Sequence, residues 1–278
     1  MSYPWPGGAR AAVCVTLDFD GESPHLWRTR ADPPDSLGEL EQRRYGPRRG
    51  IRNLLSMLDN LGLRATVFTP GWIADRYPEQ VAEIAGRGHE LALHGWCHEP
   101  PSALPRDDLR RTLERAATTL ADLGGQRPQG YRSPSWDMTA EVFPVLHELG
   151  VGYDSSLMGE DRPYVVDDLV ELPVDWATDD APYYRYTSGD PRPPATAPVV
   201  RAGWAAEIAA AKRCGSLCMI TVHPWLSGRP ARVTALEELL APVVADAQLC
   251  TPAAAELAAW HREHGEGPRV TLDELGRP

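Results

Sequence analysis

Residues 11–22 read AAVCVTLDFDGE. Seven apolar or small residues in an unbroken run, Ala11 to Leu17, predict a buried strand. Asp18 and Asp20 follow at its C-terminal end, and Gly21 permits a sharp turn directly after them. Working outward, the same grammar repeats. Strands are expected at Leu63–Thr69, Glu90–Leu93, Gln129–Tyr131, Val151–Tyr153, Leu169–Leu172, Ser216–Val222 and near Leu249. Between them, helical spacing covers Gly50–Leu61, Pro78–Gly88, Arg106–Leu123, Thr139–Leu149, Ala202–Arg213, Val233–Ala247 and Pro252–His264. Strands alternating with helices predict an α/β fold, and at 278 residues a distorted (β/α) barrel of about seven parallel strands is favoured over an open sheet. With no compositional linker, residues 1–278 are read as one catalytic domain.

Composition narrows the chemistry. The formal charge is −11, from 39 acids against 28 bases, which argues against a nucleic-acid partner. Lys212 is the only lysine and falls at the end of a surface-type helix, so Schiff-base chemistry is disfavoured. The phosphate-loop, dinucleotide and serine-elbow signatures of α/β proteins are missing. Cys14, Cys97, Cys214, Cys218 and Cys250 form no CxxC pair and read as reduced thiols. No apolar run is long enough to span a bilayer, and no basic-apolar leader opens the chain. The expectation is a cytoplasmic protein with a small-molecule substrate and no membrane partner.

Carboxylates and histidines remain, and they fall at strand ends, where a parallel barrel carries its catalytic groups. Asp18 and Asp20 end the first strand. His94 and His98, in HGWCH, end the third and have the i, i+4 spacing that lets two imidazoles reach one ion. With Asp20 they would make a two-His, one-carboxylate set with open positions for water. Read structurally, the same residues are turn caps and core histidines. His223 ends the strand SLCMITV and could hand a proton to a leaving group. Arg132, in YRSPSW, could orient a carboxylate or close a structural ion pair. Two segments, 22–46 and 179–199, are long for loops; a helix could hide in the first, and both are candidate substrate or interface loops.

These residues, in this order, resemble the polysaccharide deacetylase superfamily, or carbohydrate esterase family four. The stretches YGPRRG (45–50), ATVFTPGWIADRYPE (65–79), GHELALHGWCHE (88–99), GYRSPSWDMT (130–139), YDSSL (153–157), ELPVDW (171–176) and HPWLSGRPARV (223–233) carry the resemblance. It is closest to the cytoplasmic branch of peptidoglycan-deacetylase-like proteins, metal-independent allantoinases and cyclic imide hydrolases. Phe19 between the aspartates, Glu22 in place of a proline, and Gly95 after the first histidine set that branch apart.

The resemblance implies a hydrolase of a C–N amide bond other than a peptide bond: a deacetylase or deacylase of a small N-acylated substrate. Asp20, His94 and His98 would bind a divalent metal, zinc foremost. Asp18 would be the base that activates a metal-bound water, oriented by Arg132. His223 would be the acid, oriented by Asp175. Glu22, Trp96, Trp136, Trp176, Tyr183 and Trp225 are candidate pocket residues, with core packing as their bland reading. The alternatives are a cyclic imide or ureide ring-opening enzyme, with or without metal, and a non-catalytic barrel scaffold. The branch also implies a homo-oligomer, dimer or tetramer.

Overall fold

In the computed structural model, which describes residues 3–33, 37–187 and 191–276, the opening run is strand β1 (Ala11–Asp18), buried at every position. The other strands are β2 (Thr66–Thr69), β3 (Glu90–Leu93), β4 (Gly130–Tyr131), β5 (Tyr153–Asp154), β6 (Tyr164–Val166), β7 (Leu169–Glu171), β8 (Leu217–Val222), β9 (Leu249–Cys250) and β10 (Arg269–Val270). They form one sheet in the order β10-β6-β7-β5-β4-β3-β2-β1-β8, with β9 beside β1. From β8 through β1, β2, β3, β4 and β5 to β7 every pairing is parallel, which gives the seven-strand barrel wall the sequence predicts. Strand β6 departs from that rule: it pairs antiparallel with β7 and carries β10 on its outer edge.

No strand ladder joins β8 to β7 among the described residues, so the sheet is a half-barrel. The gap is bridged by the chain that follows β7. Asp179 pairs with Thr221 as a single parallel bridge, and the Asp180 amide donates to the Thr221 carbonyl over 3.1 Å. This contact lays two carboxylates beside the C-terminal end of β8.

Amphipathic helices cover the outside. Helix Ile51–Leu61 turns Ile51, Leu54, Leu55 and Leu58 into the core and stops at Gly62, whose φ of 65° suits the left-handed position after a helix. Helix Arg106–Gly124 buries Leu109, Leu113 and Leu120 and stops in the same way at Gly125. The long segments are less irregular than their composition implies. The first holds helices Ser23–Arg28 and Gly38–Tyr45; the second holds Ala181–Tyr184 and the start of Ala197–Cys214. Residues 34–36 and 188–190 of these segments lie outside the described residues. A π-helical turn, Gly46–Gly50, then packs against the chain after β8. The approach is so close that a Cβ on Gly50 would lie 1.9 Å from the Pro224 carbonyl oxygen. Among the described residues no helix is long and apolar enough to cross a membrane.

Candidate active site

Four strand ends open into one mouth. Strand β1 delivers Asp18 and, after Phe19, Asp20. Strand β3 delivers His94, β4 delivers Arg132 and β8 delivers His223. Gly21 (φ 49°) turns the chain immediately after Asp20. His94 and His98 are brought together by a tight turn rather than by a helix. Gly95 (φ 73°) and His98 (φ 59°) both adopt left-handed backbone, a costly choice for histidine. The Glu99 carboxylate holds the turn by accepting from the amides of Trp96 (2.8 Å) and Cys97 (2.5 Å). The first turn of helix Gly71–Arg76 pins it from outside, with the Gly71 and Trp72 amides donating to the carbonyls of Gly95 and Trp96.

Asp20 sits at the centre. Its Oδ1 lies 3.3 Å from His94 Nε2, and its Oδ2 lies 3.6 Å from His98 Nε2 and 3.5 Å from His223 Nε2. His94 Nδ1 is 2.7 Å from the Arg132 carbonyl oxygen, so Nδ1 must be the donor. A neutral His94 therefore aims an Nε2 lone pair at Asp20 Oδ1, an oxygen that is buried and accepts from nothing. Two acceptors at that distance need a positive charge between them, a proton or a metal ion.

The titration pattern follows. Burial alone would raise the Asp20 carboxyl, but His98, His94 and His223 outweigh it and hold it far below the usual range. Burial would lower His94, and Asp20 and Asp18 overcome that to raise it. At His98 burial prevails, helped by His94 and Arg43, and pushes it down to about 4. It is thus neutral at pH 7, as a metal ligand must be. The donor atoms of Asp20, His94 and His98 all lie within 4.8 Å of one another, compatible with one shared cation.

Arg132 is fully buried and fully engaged. Nη1 donates to Asp18 Oδ1 (2.8 Å) and Thr16 Oγ1 (2.9 Å), Nε to the Ser155 carbonyl (3.0 Å) and Nη2 to Ser155 Oγ (2.9 Å). Its guanidinium lies over the Phe68 ring. Asp18 thus has one oxygen fixed by Arg132, while the other faces His94 Nε2 at 3.9 Å.

The partner of His223 corrects the sequence reading. Asp175 is exposed and caps a short 3-10 turn by accepting from the Ala177 amide. Asp180 takes the expected role: it accepts from His223 Nδ1 at 2.6 Å, from the His223 amide at 2.9 Å and from the Ser227 hydroxyl. With both oxygens so used, the grouping of Asp179, Asp180 and His223 is a carboxylate–imidazole pair, not a second ligand set. Burial would lower His223, but the charge and hydrogen bond of Asp180, with Asp179 and Asp20 beyond, raise it well above the ordinary value. Asp179 is itself pushed up to about 7 by burial and by the Asp180 charge.

Above these groups lies a cavity of about 620 Å³. Of the expected pocket residues, Trp136, Trp176 and Trp225 line it, and the rings of Trp136 and Trp176 pack with centroids 3.9 Å apart. Glu22, Trp96 and Tyr183 do not line it. Glu22 is buried below, accepting from Tyr77 Oη (2.6 Å) and Arg44 Nε (3.2 Å). Trp96 points outward from its turn, into the space left by the missing side chain of Gly71 and under the Arg115 guanidinium. Tyr183 donates to the Ala177 carbonyl. Sequence reasoning missed Arg43, Trp27 and Asp179 on the wall, and Asp180 behind it. The acid pair at 179–180, just before Pro182, was a visible signal of the same kind as Asp18 and Asp20.

The profile of the family described as Polysaccharide deacetylase matches residues 45–153. The chain is 31% identical over 168 residues to the Peptidoglycan deacetylase-like protein FGM2 of Gibberella zeae, covering 59% of this chain and 49% of that protein. It therefore spans about half the length of that relative. It is 28% identical over 207 residues to a Peptidoglycan deacetylase of Helicobacter pylori, covering 64% of this chain and 71% of that one. Among solved structures, a Mycobacterium smegmatis protein assigned to the polysaccharide deacetylases is 37% identical, with a TM-score of 0.92 over 99% of this chain and 96% of its own. Puue Allantoinase, 21% identical, shares the fold with a TM-score of 0.81 over 94% of this chain and 93% of its own.

Proposed function

The chain belongs to the polysaccharide deacetylase family, and on that premise we propose that it is a metal-dependent hydrolase of an amide C–N bond in an N-acylated substrate. The observation that carries this reading is the buried Asp20 Oδ1, which has no hydrogen-bond donor and lies 3.3 Å from His94 Nε2, in a cluster with His98 whose ligand atoms all fall within 4.8 Å. Asp20, His94 and His98 would hold the ion, and two imidazoles with one carboxylate suit zinc. When bound, a divalent cation polarises the amide carbonyl and lowers the pKa of a water.

The chain's own groups supply the proton transfers. Asp18, turned by Arg132 toward the centre, takes the proton of the attacking water. The Asp180 carboxylate favours the protonated form of His223, whose Nε2 faces the same centre, so it can protonate the departing nitrogen. Asp180 keeps its Nδ1–H directed away from the substrate and stabilises the imidazolium. The reacting groups run from residue 18 to residue 223, which supports treating the chain as a single catalytic domain. All five cysteines are free, which supports a reducing, cytoplasmic setting.

Release of acetate from N-acetylated amines, measured before and after chelation and with Asp18→Asn, tests the reading. Full activity after both treatments overturns it. A second reading is the ring opening of a planar cyclic imide or ureide, favoured by the aromatic wall of Trp136 and Trp176, whose rings pack at a tilt of 32°. Turnover of such rings that survives chelation would select it.

A further inference from the structure

Beyond the reacting groups, the pocket wall carries two donors, Arg43 Nε and Trp225 Nε1, that have no hydrogen-bond acceptor among the described residues. Arg43, on helix Gly38–Tyr45, is only 3% exposed and lines the cavity. Its guanidinium lies 4.6 Å from the centre of the Trp225 ring, which is also 3% exposed and also lines the cavity. Both nitrogens are buried, with no hydrogen-bond acceptor among the described residues. The contacts of Arg43 are long: Nη1 reaches the Gly21 carbonyl at 3.5 Å, and Nε stands 3.5 Å from Glu39 Oε1.

The charge balance points the same way. The Glu39 carboxylate is shared among Arg43, Arg28 and His25, and Asp20, whose charge also favours the Arg43 guanidinium, is shared with His94, His98 and His223. Arg30, also on the cavity wall, stacks over Trp27 and meets no carboxylate among the described residues. Burying unpaired donors is unfavourable unless a ligand supplies acceptors. A neutral substrate would leave that cost standing; an anion would offset it, because a guanidinium fork matches carboxylate or phosphate oxygens.

The geometry points to a substrate that bears an anionic group, carboxylate or phosphate, docked on Arg43 and Trp225 while its acylated nitrogen lies between Asp20 and His223. This rests on the amide-hydrolase reading for where the nitrogen lies, but the anion site itself does not. Arg43 and Trp225 are here specificity residues, and Arg28 and Arg30 steer the anion at the mouth.

The test compares kcat/KM for three probes with the same ring and acyl group: N-acetylglucosamine, its 6-phosphate and N-acetylmuramic acid. The metal-loaded protein should favour the anionic probes by about 10- to 100-fold, the worth of one or two charge-assisted hydrogen bonds. The better of the two identifies phosphate or carboxylate as the partner. Arg43→Gln should erase the preference, and Trp225→Phe, which keeps the ring and removes the donor, should shrink it. Should Arg43→Gln fail to fold, Arg43→Lys and Trp225→Phe carry the test, since the lysine lacks the fork.

Binding is read separately, by quenching of tryptophan fluorescence with inorganic phosphate and with acetate. If no probe is hydrolysed but these anions bind wild type and not the Arg43 variant, the anion site stands and the amide-hydrolase reading falls. Equal turnover of neutral and anionic probes, with anion binding unchanged in folded Arg43 and Trp225 variants, overturns the anion site and makes Arg43 a structural partner of Glu39.

Discussion

The imidazole of His223 donates from Nδ1 to Asp180 Oδ1 over 2.6 Å, and Asp180 belongs to the chain segment that bridges the gap between β7 and β8. The closure of the barrel and the orientation of the proposed acid are therefore one device. Asp180→Asn removes the charge that holds the imidazolium and permits the wrong tautomer. We expect kcat to fall by about 10²–10⁴, the usual contribution of a positioned acid or base. Asp175→Asn, an exposed cap, should change kcat by no more than roughly twofold. Steady-state amine release from the two variants checks the assignment, and the reverse ranking would restore Asp175 to the site.

Cation binding should be visible without turnover. If Asp20, His94 and His98 form the site, zinc at about 100 times its Kd stabilises the fold by about 2.7 kcal/mol. His94→Ala should lose most of that gain, because Asp20 and His98 alone leave too few ligands. Thermal melts of the chelated protein, with and without added zinc, make the measurement. A wild-type melting temperature indifferent to zinc would refute the ligand set.

The reacting residues were legible for a physical reason. Asp18, His94 and His223 each close an apolar run, Arg132 follows the short strand Gly130–Tyr131, and a parallel sheet sends all such strand ends to one face. Arg43 and Asp180 were not legible, because they come from the two over-long segments, and only folding shows which of the acids and arginines there turn inward. Trp96 was misplaced because a side chain inside a motif was taken to point as the motif does. The left-handed Gly95 and His98 reverse the chain around it and throw the indole outward onto Gly71. The antiparallel β6 escaped notice because a three-residue strand has no periodicity to read.

Arg132 should be the least replaceable residue of the core. Five hydrogen bonds from one fully buried guanidinium tie β1, β4, β8 and the chain after β5 together. Arg132→Met leaves Asp18 buried without its cation, an uncompensated charge that costs about 3–5 kcal/mol. Arg132→Lys keeps the charge without the fork and should fall between. Urea denaturation ranks the three proteins. An Arg132→Met variant as stable as wild type would show that the pair contributes little.

Gly50 offers a test of positioning from outside the pocket. A methyl group there meets the Pro224 carbonyl, so Gly50→Ala must displace the chain that starts at His223 and carries Trp225. A shift near 1 Å in a reacting group can cost about 10²-fold in rate. We expect kcat to fall by about that factor. Gly62→Ala is the control, since its Cβ would meet nothing and its left-handed backbone carries only the strain. It should lower the melting temperature and leave kcat near wild type.

Asp154 on β5 and Glu171 on β7 are register partners, both fully buried, and Asp154 Oδ2 and Glu171 Oε2 have no donor. Burial and then their mutual repulsion raise Glu171 well above the usual carboxylate range; at Asp154 burial is the cause. The folded protein thus keeps a proton that the unfolded chain releases. Stability attributable to the pair is full below the ordinary carboxylate range, falls as pH climbs toward the raised folded value, and is level beyond it. Glu171→Gln keeps the Oε1 that accepts from the Ser156 and Leu157 amides and supplies a permanent donor for Asp154. The variant should therefore lose less melting temperature than wild type between about pH 5 and about pH 8. Each kcal/mol of difference corresponds to roughly 2–4 °C in a domain of this size. Parallel melting curves across that range would mean that the two carboxyls do not share a proton.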